Sequence, residues 1–399
     1  MNSPKKRITL LCSSFPPETG AAPVRMFHLA KVLLQSNYEV TVICAMPNYP
    51  TGSIFNDYKD KIIAKENFHG ISVIRTWLIP TNSSNKWKRV LSLFSYTASL
   101  YLLAGRQLSN SNPDLIIVSS PPFVTGYFGL RIAKRSKAKI ILNVSDLWPQ
   151  SAHDLGFIKE GRFYRFLQRL EQTMYQMADA FTVQSLTIKK HIEQSENKQV
   201  SFVYRNLQPN SIEAKMSRPE GKRKIVYAGL LGIAQGVLGI LEAIDFAALG
   251  TELHIYGQGF QQVKIMEWID KHPEKGVCYL GSLPAESIPS MLSAYHAMLI
   301  PLSTSIHGAV PSKIFNAMAN GLPVLFSGEG EAAEIVQSNK IGFVSSSGDM
   351  LQLSRNIAQL MVMTDEVYET MRNNCINCSE MMFNKERQDE DFLNFLASV

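Results

Sequence analysis

Residues 307–336 read His-Gly-Ala-Val-Pro-Ser-Lys-Ile-Phe-Asn-Ala-Met-Ala-Asn-Gly-Leu-Pro-Val-Leu-Phe-Ser-Gly-Glu-Gly-Glu-Ala-Ala-Glu-Ile-Val. Gly308 and Pro311 break the chain before a helix that opens on Ser312 and Lys313. A short apolar strand at 323–327 follows, then a second helix introduced by Gly328 and Gly330 and carrying Glu331 and Glu334. Helix N-termini present unpaired N–H groups, and an ammonium beside them adds a full charge, so this pattern suits the oxygens of a diphosphate. The carboxylates could grip sugar or ribose hydroxyls. A second glycine turn spans Gly229, Gly232, Gln235 and Gly236, between a predicted strand at 224–228 and a helix. Such a turn lets backbone amides approach phosphate closely. Its spacing is not the dinucleotide fingerprint, and no acid ends the next strand at the ribose position. Gly257, in Tyr256-Gly-Gln-Gly259, reads equally as a structural turn or a ligand contact.

Strand and helix signals alternate along the whole chain, which predicts α/β architecture with parallel sheets. Strands are expected near 7–15, 39–45, 71–78, 114–119, 139–145 and 180–184, then at 224–228, 252–256, 277–280, 297–301 and 323–327. Helices are expected at 23–35, 86–110, 121–136, 160–178, 235–249, 259–271 and 285–294. With 399 residues the chain exceeds one ordinary core. A polar, turn-rich stretch at 205–222 marks the boundary and a candidate hinge. The first domain is expected at 1–205, joined by a C-terminal helix at about 384–399, and the second at 206–383.

The net charge of +6 conceals an asymmetry: residues 1–200 hold 25 Lys and Arg against 13 Asp and Glu, and the remainder holds 15 against 21. A basic half implies an anionic partner. No zinc finger, RNA-binding sheet motif or aromatic ladder within a basic run supports nucleic acid, so a membrane surface is the expected partner. Residues 90–105 are uncharged and follow Lys86-Trp-Lys-Arg89, the composition of an interfacial helix; a core helix is the alternative. No stretch is long enough to span a bilayer, and the short apolar run 8–12 reads as a strand rather than a signal peptide. Five cysteines, two of them in predicted strands, suggest buried thiols in a reducing compartment. Cys375-Ile-Asn-Cys378 lacks the second pair of a zinc site, and Asp389-Glu-Asp391 lies in a helix and reads as a solvated face. No metal and no cofactor is expected.

The run Pro-Ser-Lys-Ile-Phe-x-x-Met-Ala-x-Gly at 311–321 resembles the donor site of GT4-type retaining glycosyltransferases of the GT-B fold. Within them it is similar to the enzymes that build O-antigen, capsule and colanic-acid repeat units, the L-fucosaminyltransferases above all. The two glutamates that most of the family places here are replaced by Gly308 and Asn316. The resemblance implies two Rossmann-like domains facing each other across a cleft, with the last helix crossing back to the first. It implies donor contacts from Gly229, Gly232, Gln235, Gly236, Gly257, Ser312 and Asn316, and places Glu331 or Glu334 near the ribose. Lys313 would neutralise the leaving diphosphate without a metal.

The loop 15–25 resembles the family loop whose glycine approaches donor or acceptor, here Gly20, and Arg25 could meet an acceptor phosphate. Asp146 stands at the carboxyl end of a strand, where such sheets bind ligands. It is the candidate for taking the acceptor hydroxyl's proton or orienting the acceptor, with a helix N-cap as the structural alternative. Trp148 would pack on a sugar or fill its loop. His153 is a weaker candidate base, and His307 could touch the donor. The implied activity moves a sugar from a nucleoside diphosphate, UDP in the first instance and UDP-N-acetyl-L-fucosamine among the donors, to a polyprenyl-diphosphate-linked saccharide. The enzyme would be cytoplasmic and attached peripherally to the inner membrane. A sugar-nucleotide 2-epimerase of the same fold and a non-catalytic assembly scaffold are the alternatives.

Overall fold

The computed structural model describes residues 5–83, 85–196, 201–209, 221–284 and 287–399. They form two compact units: the first holds residues up to His153, Ile158–Tyr204 and Asp389–Val399; the second holds Asp154–Phe157 and Arg205–Gln388. The expected hinge falls largely at 210–220, outside the described residues.

The first unit is built on eight strands: β1 (Arg7–Leu11), β2 (Glu39–Ala45), β3 (Ile63–Phe68), β4 (Ile71–Thr76), β5 (Leu115–Ser120), β6 (Lys139–Val144), β7 (Ala180–Val183) and β8 (Ser201–Val203). Their order is β3-β4-β2-β1-β5-β6-β7-β8, and only the β3–β4 pair is antiparallel. Sequence reading missed β3. It is an edge strand with polar residues alternating outward, and it turns into β4 through His69 and Gly70, both at positive φ. The inner strands are apolar on both faces because helices cover both, and two clusters of buried side chains fill those layers.

The second unit carries β9 (Lys224–Ala228), β10 (Glu252–Tyr256), β11 (Val277–Tyr279), β12 (Ala297–Pro301), β13 (Val324–Ser327) and β14 (Gly342–Ser345), in the order β11-β10-β9-β12-β13-β14 and parallel throughout. Strand order reverses between β9 and β12 here and between β1 and β5 in the first unit. Such switch points open a crevice at the carboxyl ends of the strands, where ligands bind.

Three expectations are corrected. The helix expected at 235–249 is a 3₁₀ turn, Ile233–Gln235, and a short helix, Val237–Ala243, because Gly236 in the left-handed region breaks the run. The helix expected at 86–110 is three pieces, Lys86–Ser99, a π-turn at Leu100–Ala104 and Gly105–Ser111. Asp389 is not a solvated face residue: it accepts from the Tyr204 hydroxyl at 2.7 Å and lies 3.2 Å from His28 Nε2. It anchors the helix Lys385–Ser398 to the first unit, whose core takes Phe392 and Leu396. Cys12, Cys44, Cys375 and Cys378 are buried, whereas Cys278 is exposed. No described helix is long and apolar enough to cross a membrane.

Candidate functional site

In the second unit the loop after β9 lies at the switch point. It is joined to the loop after β10 by Gly229 N–H donating to the Tyr256 carbonyl at 2.9 Å and Leu231 N–H to the Gln258 carbonyl at 3.0 Å. A Cβ on Gly257 would stand 1.8 Å from the Gly229 oxygen, so loop packing alone accounts for that glycine. Gly236 takes φ 62° and would press a Cβ onto Ser303 at 2.9 Å. Gly232 is extended, and its added Cβ would meet Gln235 Oε1 at 2.7 Å.

Lys313, the first residue of the helix Lys313–Ala319, sends its ammonium back over this loop. A Cβ on Gly229 would lie 2.2 Å from Nζ, so a side chain there would displace the ammonium from this position. Nζ lies 3.2 Å from the Tyr227 hydroxyl and 4.2 Å from the centre of its ring. No carboxylate pairs with it among the described residues. Desolvation pushes its pKa down to about 7. The helices Val237–Ala243 and Lys313–Ala319 have 7 residues each, so their dipoles are short and this cation supplies most of the attraction for an anion. Ser312 precedes it without capping the helix through its side chain. Gln235 Oε1 and Asn316 Oδ1 are buried acceptors without a hydrogen-bond partner. Each such atom costs about 1–3 kcal/mol, and a ligand hydroxyl or N–H would relieve it.

Glu331, expected near the ribose, has a partner within the fold. Its carboxylate pairs with Arg205, both side chains are 8% exposed, and the guanidinium rests 5.6 Å and 5.8 Å from the Phe315 and Phe383 ring centres. A buried, compensated pair is engaged within the fold, whereas Glu334 is exposed. Glu329 accepts from the Ser347 amide and hydroxyl, each at 2.9 Å. Exposed His307 donates its backbone N–H to Asp154 at 2.8 Å.

In the first unit Gly20, at φ 121°, precedes the helix Ala21–Gln35. Arg25 on that helix donates through Nη2 to the Ser145 hydroxyl at 2.8 Å, and its Nε is buried without a partner. It lies close enough to Asp146 for their charges to interact. Arg25 is therefore placed beside the candidate base rather than held out to solvent. Asp146 keeps an exposed surface at the strand's end; the protein close around its carboxyl pushes its pKa up, and the Arg25 charge opposes that shift. Trp148 is half-buried, with its ring 4.5 Å from that of Phe123, a position that fills the loop's inner side. The His153 ring lies 5.3 Å from Tyr164.

Two families match, in the order that the sheets suggest. The glycosyl transferase 4-like domain matches residues 20–203, and the glycosyl transferases group 1 domain matches residues 210–377. The chain carries both domains of a GT-B glycosyltransferase. It is 22% identical, over 77% of its length and 80% of the relative's, to a candidate colanic acid biosynthesis glycosyl transferase, WcaI, of Escherichia coli K12. Sucrose-phosphate synthase of Thermosynechococcus elongatus superposes with a TM-score of 0.78 at 14% identity, covering 99% of each chain. HepE of Anabaena, solved in complex with UDP, gives 0.68 at 16% identity over 99% of this chain and 100% of that one. Identities this low show a shared fold.

Sequence reading of this glycosyltransferase missed the residues that hold its loops. Glu18 is 5% exposed and accepts the Asn48 and Tyr49 amides at 2.8 Å and 2.9 Å. Fully buried Arg75 pairs with Glu66 at 2.6 Å, donates to the Pro16 carbonyl and lies 5.1 Å from the Tyr58 ring centre. An arginine inside a strand pattern was the available signal, since a charge there needs a dedicated partner. Arg75→Met is expected to destabilise the protein by about 3 kcal/mol, because Glu66 and the Pro16 carbonyl lose their donor. Urea unfolding measures this, and an unchanged midpoint would show that the network holds nothing.

Proposed function

We propose that this chain is a retaining glycosyltransferase whose second unit binds a nucleoside-diphosphate sugar, UDP-linked, and whose first unit binds a lipid-linked saccharide. The observation that carries the reading is the Lys313 ammonium, desolvated, held by the Tyr227 hydroxyl but by no carboxylate among the described residues, and laid across Gly229 at the switch point. An anion is the missing partner of such a group. Gln235 and Asn316 supply acceptors for hydroxyl or N–H groups, and Glu334 a carboxylate for the ribose. HepE's complex with UDP supports the choice of nucleotide, and the Pro-Ser-Lys-Ile-Phe run supports a deoxyaminosugar such as N-acetyl-L-fucosamine. The name of the colanic acid relative supports a surface-polysaccharide acceptor. Lys313 would stabilise the departing diphosphate, and Asp146, with Arg25 beside it, would orient the acceptor hydroxyl or take its proton. Melting the protein with UDP, GDP and dTDP tests the donor: UDP is expected to raise the melting temperature, since a ligand of the folded state alone stabilises it. Absence of any shift with all three removes the reading. A UDP-sugar incubated alone should stay unepimerised, which separates a transferase from a 2-epimerase.

The acceptor's lipid implies a membrane surface, and one face of the first unit suits it. The helix Lys86–Ser99 buries Tyr96 but exposes Trp87, Val90, Leu91 and Phe94, which recur at helical spacing, and the π-turn adds exposed Leu102. Trp87 is 80% exposed, an unusual cost for a residue of that size in water. Exposed Phe163 and Phe166 alternate with Arg162, Arg165 and Arg169 on the helix Arg162–Met177. Apolar and basic side chains on one surface fit an anionic leaflet, with the enzyme cytoplasmic and peripheral. The double variant Trp87→Asp/Phe94→Asp is expected to lose sedimentation with phosphatidylglycerol vesicles while keeping its melting temperature. Equal sedimentation of the variant and the parent would exclude this face.

A further inference from the structure

The carboxyl rim of the first unit carries a feature outside the Gly20, Arg25 and Asp146 group. Strands β2 and β4 lie side by side, with Ala45 opposite Thr76. Each releases an exposed aromatic side chain at the rim: Tyr49 past β2, 47% exposed, and Trp77 directly after β4, 40% exposed. Tyr49 adjoins the Gly20 loop. Its Cε1 lies 4.0 Å from where a Cβ on Gly20 would sit, and Glu18 holds its amide. The residues after both strands also line a cavity of about 470 Å³, with Trp77, Ile62 and Pro80 among its apolar residues and Lys59, Asp60 and Lys61 among its polar ones. Its walls are set in advance. A Cβ on Gly52 would stand 2.4 Å from the Asn82 nitrogen, Asn82 donates to the Thr51 carbonyl at 2.9 Å, and Trp77 N–H donates to the Ile62 carbonyl at 3.0 Å.

Such a volume is within the range of small-molecule sites, which combine an apolar wall with a few polar groups. A pyranose ring suits this mixed lining, since it presents C–H groups on its faces and hydroxyls at its edge. The Lys61 ammonium is steadied by donating to the Asp57 carbonyl at 2.8 Å, and two ammonium groups against one carboxylate in the lining leave a net positive charge, which favours a sugar bearing an acidic group. We propose that Trp77, Lys59 and Lys61 form a subsite for an acidic sugar of the acceptor, upstream of the hydroxyl that is attacked, with Tyr49 linking it to the Gly20 loop. This rests on the reading of the first unit as the acceptor domain.

The test uses the full chain and saturation-transfer NMR with two probes of equal length, a hyaluronan tetrasaccharide, which carries glucuronate, and neutral chitotetraose. The parent is expected to transfer saturation to the hyaluronan fragment more strongly than to chitotetraose. Trp77→Ala should weaken hyaluronan binding about fivefold, the scale of one lost aromatic contact. Lys59→Gln/Lys61→Gln should weaken the acidic probe alone. UDP titrations run in parallel should be unchanged in both variants. Unchanged saccharide binding by Trp77→Ala, or no transfer to either probe from a parent that binds UDP, overturns the subsite. Equal binding of both probes overturns its acidic specificity. A parent that fails to bind UDP sinks the donor reading instead, so the two failures are told apart.

Discussion

Replacing Lys313 by methionine is expected to remove UDP binding and to lower transfer by about 10²–10³-fold, while raising the melting temperature at pH 6. The two effects have one cause. The folded protein holds this lysine at about 7, far below its ordinary value, because the ammonium is desolvated against Tyr227 and Gly229. Between that pH and about 10.4, the value of an unperturbed lysine, the unfolded chain binds more protons than the folded one. Stability contributed by this group therefore rises with pH across that window, and the penalty of the buried charge is complete below it. Methionine keeps the length and removes the charge, so the penalty and its slope disappear together with the diphosphate's partner. Melting temperatures of both proteins from pH 6 to 10, with UDP titrated at pH 8, check this. At pH 8 the parent should also take up a proton on binding UDP, seen as heats that depend on the buffer's ionisation enthalpy. A variant that binds UDP like the parent would place the nucleotide elsewhere.

Asp146→Asn should lower transfer by about 10²–10⁴-fold and leave UDP affinity unchanged, since the change lies in the first unit. Arg25 supplies a second, finer readout. Its charge opposes the rise that crowding imposes on the Asp146 carboxyl. Removing it in Arg25→Met should raise that pKa further, so the carboxylate form is lost at higher pH and the acid limb of the transfer profile moves to higher pH. A merely structural arginine would lower activity without moving the limb. If the limb stays in place in the variant, Asp146 is not the group that titrates.

Strands that hydrophobic runs mark clearly were legible to the residue: Glu39–Ala45, Lys224–Ala228, Glu252–Tyr256 and Ala297–Pro301 end where the apolar pattern ends. Burial on both faces makes the run continuous in Ala297–Pro301, Glu252–Tyr256 shows instead a clean alternation, and a glycine or proline closes each nearby. β3, β8 and β14 escaped because they are edge strands, where one side faces solvent and the apolar signal thins. Asp389 was misread, and the partner of Glu331 went unseen, for a related reason. A carboxylate in a helix looks solvated or available, and nothing local announces that Tyr204 or Arg205, distant in sequence, will engage it.

From its residues alone this chain declared two successive open α/β sheets, the glycine turn after β9 and a lysine at the start of a helix after β12, because periodicity and backbone freedom are local properties. That Lys313 reaches back over Gly229, that Arg205 occupies Glu331, and that Arg25 stands next to Asp146 were decided only by packing. Each is a meeting of groups far apart in sequence, and its chemistry comes from desolvation and from neighbouring charge, which exist once the chain has folded.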